Sequence, residues 1–166
     1  MESRKYQYMT SLLTFYMKGE IEVSEKSVKL TVPNTIGEFI PLGKRTYEPL
    51  VSQIASVNSS FHLNGKSLLV GFILTLLGIS LAGASGSELI GIIFLIIGVC
   101  QMVSSFETIL YVTDSSGMII GVDAVIFDKA TIEKAGQDIH NMLMLRSDDT
   151  NTRKQTDRVI DAINNK

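Results

Sequence analysis

A chain of 166 residues with 15 basic and 17 acidic side chains, a formal net charge of −2 and 45% hydrophobic residues has room for one domain. It lacks the positive excess with which a nucleic-acid binder displaces counterions, so nucleic acid is excluded as a partner. One cysteine, Cys100, rules out an internal disulfide and a cysteine metal cluster.

Residues 1–18, MESRKYQYMTSLLTFYMK, are too polar and aromatic for a signal peptide, which leaves the first apolar span as the expected insertion signal. Tyr6, Met9, Leu13 and Tyr16 share a helical stripe, so this segment is expected to lie in a membrane interface or to pack on a sheet.

Residues 19–65 read as the first half of a β-domain. In residues 19–32, Ile21 and Val23 alternate with charge, a Ser-Glu-Lys-Ser turn follows, and Val28, Leu30 and Val32 alternate again. That is a β-hairpin pattern. Pro33-Asn34 and Pro41 with Gly43 break the chain, and residues 47–57 supply a further short strand or two, with Pro49 at an edge or a strand start.

Residues 66–106 form the central apolar feature. The run SLLVGFILTLLGISLAGASGS lies between Lys66 and Glu88 without a charge, and LIGIIFLIIGVCQMVSSF continues uncharged to Glu107. Each approaches the ~20 residues needed to cross ~30 Å of hydrocarbon. A soluble core of this size has too little remaining protein to cover two helices that are apolar all round. The expectation is a transmembrane helical hairpin.

Its short linker makes the helices antiparallel. Lys66 abuts the first span, Lys44 and Arg45 lie upstream, and the linker carries no Lys or Arg, so the positive-inside rule places both termini in the cytoplasm of a two-span cell-membrane protein. The lipid bilayer is then a partner. Lys44, Arg45 and Lys66 are candidate headgroup contacts, set against the alternative of ordinary solvated charges.

Gly71 and Gly78, and Gly91 and Gly98, are each seven residues apart and share a helix face. With a turn near Ala84 and Ser85, antiparallel pairing sets Gly71 level with Gly98 and Gly78 level with Gly91, and Thr75 and Ala82 fall on the same stripe. Such a stripe is a helix-packing seam of the hairpin or a contact between copies.

Residues 107–146 complete the β-domain. Residues 108–112 and 118–127 are β-rich runs joined by the turn Asp114-Ser115-Ser116-Gly117, in which Gly117 can take positive φ. Asp128 is expected to cap a helix with Ile132, Ala135, Ile139 and Met142 or Leu143 on its apolar face. Residues 147–166 are a polar tail, expected to be disordered or a frayed helix. Since two-stranded pieces are marginal in water, the strands before and after the apolar centre are expected to form one split domain.

The strand order, the Pro-Leu-x-x-Gln-Ile-Ala-Ser-Val segment from Pro49 to Val57, the paired apolar helices, Thr108-Ile109-Leu110-Tyr111-Val112, the Ser115-Ser116-Gly117 turn and the closing amphipathic helix together resemble bacterial pleckstrin-homology-like domains. The similarity runs from Gly19 to Arg146. It is closest to members with a membrane hairpin spliced into the sheet, and Ile54, Val57 and Gly117 match structural positions. The resemblance implies an α+β membrane protein: a small, bent antiparallel sheet or barrel with a C-terminal helix over one end, and a role in binding or assembly.

No catalytic constellation accompanies it. His62 and His140 lack metal-ligand spacing, and Gly83-Ala84-Ser85-Gly86-Ser87 is neither a nucleophile elbow nor a phosphate loop. Asp114, Asp123 and Asp128 are explained by strand alternation and capping. No catalytic, metal or cofactor-binding residue is assigned, and an enzyme is not expected. The leading expectation is a cytoplasm-facing adaptor module that works through a homo-oligomer or a membrane or cytoplasmic protein partner. The alternative is a membrane-protective protein, resembling bacteriocin immunity, in which the hairpin itself acts; an oligomeric pore ranks last, because the spans hold no charge to line a path.

Overall fold

The computed structural model describes residues 3–36 and 40–164. In chain order it contains β1 (Arg4–Met9), β2 (Lys18–Val23), β3 (Val28–Ile36), β4 (Ile40–Tyr47), β5 (Ile54–Leu63), α1 (Gly65–Ala82), α2 (Glu88–Ser104), β6 (Phe106–Asp114), β7 (Ile119–Val125) and α3 (Lys129–Asn164). Single 3₁₀ turns at Val51–Gln53 and Ile126–Asp128 precede β5 and α3.

The strands form two antiparallel sheets, β1-β2-β3-β4 and β5-β6-β7, rather than the single bent sheet expected. Alternation decides which faces turn inward: Ile21 and Val23 on β2 and Val28 and Leu30 on β3 are buried, with Lys29 exposed between the latter two. From the second sheet Leu110, Val112, Ile120, Val122 and Ala124 meet them in one core. α3 lies across both sheets and closes the core with Ile132, Ala135 and Ile139. At Gly136 a Cβ would stand 3.0 Å from Leu110 Cδ1, so the helix rests close on β6.

Further expectations are corrected. The helical stripe of Tyr6, Met9, Leu13 and Tyr16 does not form, because residues 4–9 are a strand in register with β2, Tyr6 opposite Ile21 and Tyr8 opposite Gly19. Tyr8 is 1% exposed, and its ring fills the space that a side chain at position 19 would occupy. The β-domain therefore begins at Arg4, not at Gly19; residues 1 and 2 of the N-terminal segment lie outside the described residues.

β4 was hidden by Pro41 and Gly43, read as breakers. It pairs with β3 through a bulge, where Asn34 is opposite Gly43 and Thr35 opposite Pro41, leaving Leu42 as the extra residue. Gly43 takes φ 113° there, a conformation other residues resist. Residues 47–57 are not a strand throughout, since the Val51–Gln53 turn separates β4 from β5. The backbone of the polar tail is helical and continues α3 as far as Asn164; residues 165 and 166 lie outside the described residues.

The turn of residues 114–117 closes with the Gly117 N–H donating to the Asp114 carbonyl (3.0 Å), and Gly117 has φ 87°. The Asp128 carboxylate accepts the Met9 N–H at 2.7 Å, fastening the end of β1 to the start of α3.

Candidate functional site

α1 and α2 are inserted between the neighbouring strands β5 and β6, whose ends pair Leu63 with Phe106. One residue, Asn64, links β5 to α1, and one residue, Ser105, links α2 to β6. The Asn64 N–H donates to the Ser105 carbonyl at 2.9 Å, and the Asn64 side chain accepts the Ser67 N–H at 3.2 Å as the cap of α1. The helices pack on each other and, at this junction apart, on no other element to a comparable extent. They project from the sheets.

Between them the four glycines meet backbone. A Cβ on Gly71 would lie 2.7 Å from Met102 N and 2.8 Å from the Gly98 carbonyl; one on Gly78 would lie 2.5 Å from Leu95 N and 2.9 Å from the Gly91 carbonyl. On Gly91 it would stand 2.2 Å from Ala82 N, and on Gly98 2.5 Å from Thr75 Oγ1. Buried α1 residues are Ser67, Gly71 and Gly78, and buried α2 residues are Gly91, Gly98, Gln101 and Ser104. The large apolar side chains point out: Leu69 is 61% and Leu89 78% exposed.

Several polar groups in the spans turn inward, although Ser80 is exposed. Gln101 Nε2 donates to Ser67 Oγ at 2.7 Å, buried between the helices, and the Thr75 hydroxyl donates to the Gly71 carbonyl at 2.8 Å. Ser104 is buried and accepts the Leu12 N–H at 2.9 Å, tying the β1–β2 loop to the base of α2. α1 is the one helix among the described residues long and apolar enough to cross a membrane; α2 has 17 residues.

The candidate headgroup residues are not gathered into one site. Lys44 and Arg45 sit exposed on the edge strand β4, opposite Pro33 and Val32, and Lys66 is exposed in the first turn of α1. His62 lies exposed on β5 opposite Glu107, and His140 lines a hollow of about 450 Å³ beside Glu133 and Gln137. Among the described residues no three His, Cys, Asp or Glu side chains form a group suited to a metal.

The end of the sheets away from the helices holds a feature the sequence did not reveal. The β2–β3 turn, residues 50–52 and α3 enclose an open cleft of about 780 Å³. Leu50, Val51, Met142 and Leu145 form its floor, with Glu25, Lys26 and Arg146 at the rim. Its walls are stitched together: the Val51 N–H donates to the Lys26 carbonyl (2.9 Å), the Val28 N–H to the Pro49 carbonyl (3.0 Å), and Arg146 Nη1 to the Val51 carbonyl (3.2 Å). Leu145 is 63% and Leu50 47% exposed.

Beside that cleft, Arg4 and Tyr6 of β1 converge on Asp138 of α3. Arg4 Nη1 lies 2.8 Å from Asp138 Oδ2, and the Tyr6 hydroxyl donates to the same oxygen. The Tyr6 bond, then Arg4, holds the Asp138 carboxyl below its ordinary range against the opposing effect of burial, while burial first and then Asp138 push the Tyr6 phenol up. The cluster clamps the edge strand to the helix.

No family model, curated protein or solved structure matches this chain. The described residues define a mixed α+β protein of two antiparallel sheets and three helices, one of them long and apolar enough to cross a membrane.

Proposed function

We propose that this chain is a membrane-anchored binding module: α1 and α2 cross the bilayer as a two-span hairpin, both termini are cytoplasmic, and the sheets with α3 dock another protein or another copy of the chain. The observation that carries the anchor is the exposure of the helices. They bury only small and polar residues, and show Leu, Ile and Phe on every outer face. In water this would be an apolar surface far beyond what monomers tolerate; in hydrocarbon it is the expected outer face, with the backbone hydrogen-bonded within each helix.

Helices of 18 and 17 residues rise about 27 and about 26 Å at ~1.5 Å per residue, slightly less than a ~30 Å core. Local thinning and the polar turn of residues 83–87 accommodate the difference. Lys66 at one end and a turn without Lys or Arg at the other favour the orientation with the sheets inside.

Support for the binding half comes from four plus three strands closed by a helix, an arrangement in keeping with the resemblance to bacterial pleckstrin-homology-like domains. The cleft at the far end, apolar at its floor and of mixed charge at its rim, suits apolar side chains of a protein partner more than a compact anion.

Topology is tested in a Cys100→Ala background with single cysteines at Ser85→Cys and Ser52→Cys. A membrane-impermeant maleimide should label position 85 in intact cells and position 52 only after lysis. Equal labelling of the two ends the two-span reading. For the docking half, a photocrosslinker at Leu145 should give a discrete adduct that Leu50→Glu removes. Exchange of α1 and α2 for an unrelated hairpin should leave activity intact; loss on exchange would favour the hairpin itself as the working part.

A further inference from the structure

The end of the sheets nearest the helices is built inside out. In the β1–β2 loop the small polar residues Ser11 and Thr14 are 2% and 1% exposed, whereas Phe15 and Tyr16 are 62% and 60% exposed and touch edge to face at 5.9 Å. A loop bathed in water would place these the other way round. This inversion is held in place, because Leu12 is bonded to Ser104 at the foot of α2 and the Met17 N–H donates to the Thr14 carbonyl at 2.8 Å.

A second apolar projection lies at the same end. Tyr8 is opposite Gly19 and Glu20 opposite Thr31, so the part of β3 beyond Pro33 runs past the start of β2 at Lys18 towards the helices, and β4 returns from there. Ile36, Ile40 and Leu42 on this extension are 56%, 58% and 55% exposed. Lys18, Lys44 and Arg45 are exposed on the strands just behind the two projections.

The junctions fix how far the bilayer lies from these residues. With single residues between β5 and α1 and between α2 and β6, no spacer separates the sheets from the helices. A bilayer surrounding α1 and α2 therefore has its headgroup layer at the foot of the sheets, and that layer is about 5–8 Å deep on each side of the hydrocarbon.

We propose that the β1–β2 loop and the β3–β4 extension are a lipid-inserting surface, with Phe15, Tyr16, Ile36, Ile40 and Leu42 seated among the headgroups and upper acyl chains of the leaflet that α1 and α2 enter. Aromatic side chains favour that depth, and Lys18, Lys44 and Arg45 face anionic headgroups above it. The module is thus gripped at two further points beside its helices and cannot swing about them. This inference rests on the two-span reading.

The test uses the full chain, which has no tryptophan, reconstituted in vesicles of phosphatidylcholine with about one-third phosphatidylglycerol. Single tryptophans are placed at Tyr16→Trp, Leu42→Trp, Ser52→Trp at the distal cleft, and Ile93→Trp on the outer face of α2. Lipids brominated near the headgroup should quench positions 16 and 42 at least twofold more than position 52, while deeply brominated lipids quench position 93. Quenching at 93 with none at 16 and 42 overturns the inserting surface and leaves the hairpin reading standing. No quenching at 93 removes the hairpin reading and this inference with it. Shielding of 16 and 42 from both bromolipid and aqueous acrylamide would assign the surface to a second copy and overturn the proposal. Lys44→Glu with Arg45→Glu should reduce quenching at 42 in the anionic vesicles; an unchanged value overturns the headgroup contact.

Discussion

Gly91→Ala is the sharpest single perturbation of the helix pair. Its new Cβ would lie 2.2 Å from Ala82 N, 2.6 Å from Ala82 Cα and 2.7 Å from Leu81 C. All three are backbone atoms, so no rotamer change relieves the contact. Restoring a carbon contact of ~3.5 Å requires the helices to part locally by about 1.3 Å, and gaps of ~0.5–1 Å already forfeit a quarter to a half of each neighbouring dispersion contact. Overpacking of this kind costs about 1–3 kcal/mol. Helix propensity acts in the opposite direction, favouring alanine by up to ~1 kcal/mol. A net loss therefore measures the clash. The assay is reversible unfolding in mixed micelles as the fraction of denaturing detergent rises, followed by helical circular dichroism. Gly83→Ala serves as the control, since its Cβ would be 3.8 Å from the nearest carbonyls. Should Gly91→Ala unfold at the same detergent fraction as the control, close glycine packing does not hold the pair together.

Gly19→Ala should lose about 1–3 kcal/mol by overpacking, because its Cβ would stand 2.1 Å from Tyr8 Cζ; chemical denaturation should show Tyr8→Leu to be non-additive with it, and additivity would refute the ring-over-glycine packing. Asp138 has a depressed folded-state pKa, so its contribution is present above the unfolded value of about 4 and is lost as the pH falls through the lower folded value. Asp138→Asn should accordingly flatten the acid limb of thermal stability below about pH 4, and an unchanged limb would show that the clamp adds nothing. Ser67→Ala removes the acceptor of the Gln101 amide and should lower hairpin stability by about 1 kcal/mol in the same micelle assay; a neutral result would place that bond among the contacts that water or lipid replaces.

What could be read from the residues alone was whatever a short-range pattern encodes. Two uncharged runs specify two apolar helices, since no arrangement of a chain this small hides them. Alternation at Ile21, Val23, Val28 and Leu30 specifies a hairpin. Asp114 and Gly117 specify a turn, and the spacing of Ile132, Ala135 and Ile139 specifies the buried face of α3. Each signal repeats within a few residues.

Tertiary structure decided the rest. Residues 4–9 became a strand because Gly19 leaves room for Tyr8 across the sheet, a fit between positions eleven apart that the accidental helical stripe of Tyr6, Met9, Leu13 and Tyr16 concealed. β4 survives Pro41 and Gly43 because a bulge absorbs both. The strands of the described residues divide into two sheets between β4 and β5, and α3 closes one core against both. Neither the distal cleft nor the outward-turned Phe15 and Tyr16 has a sequence period, since each is assembled from segments far apart in the chain and is set by what those segments meet in space.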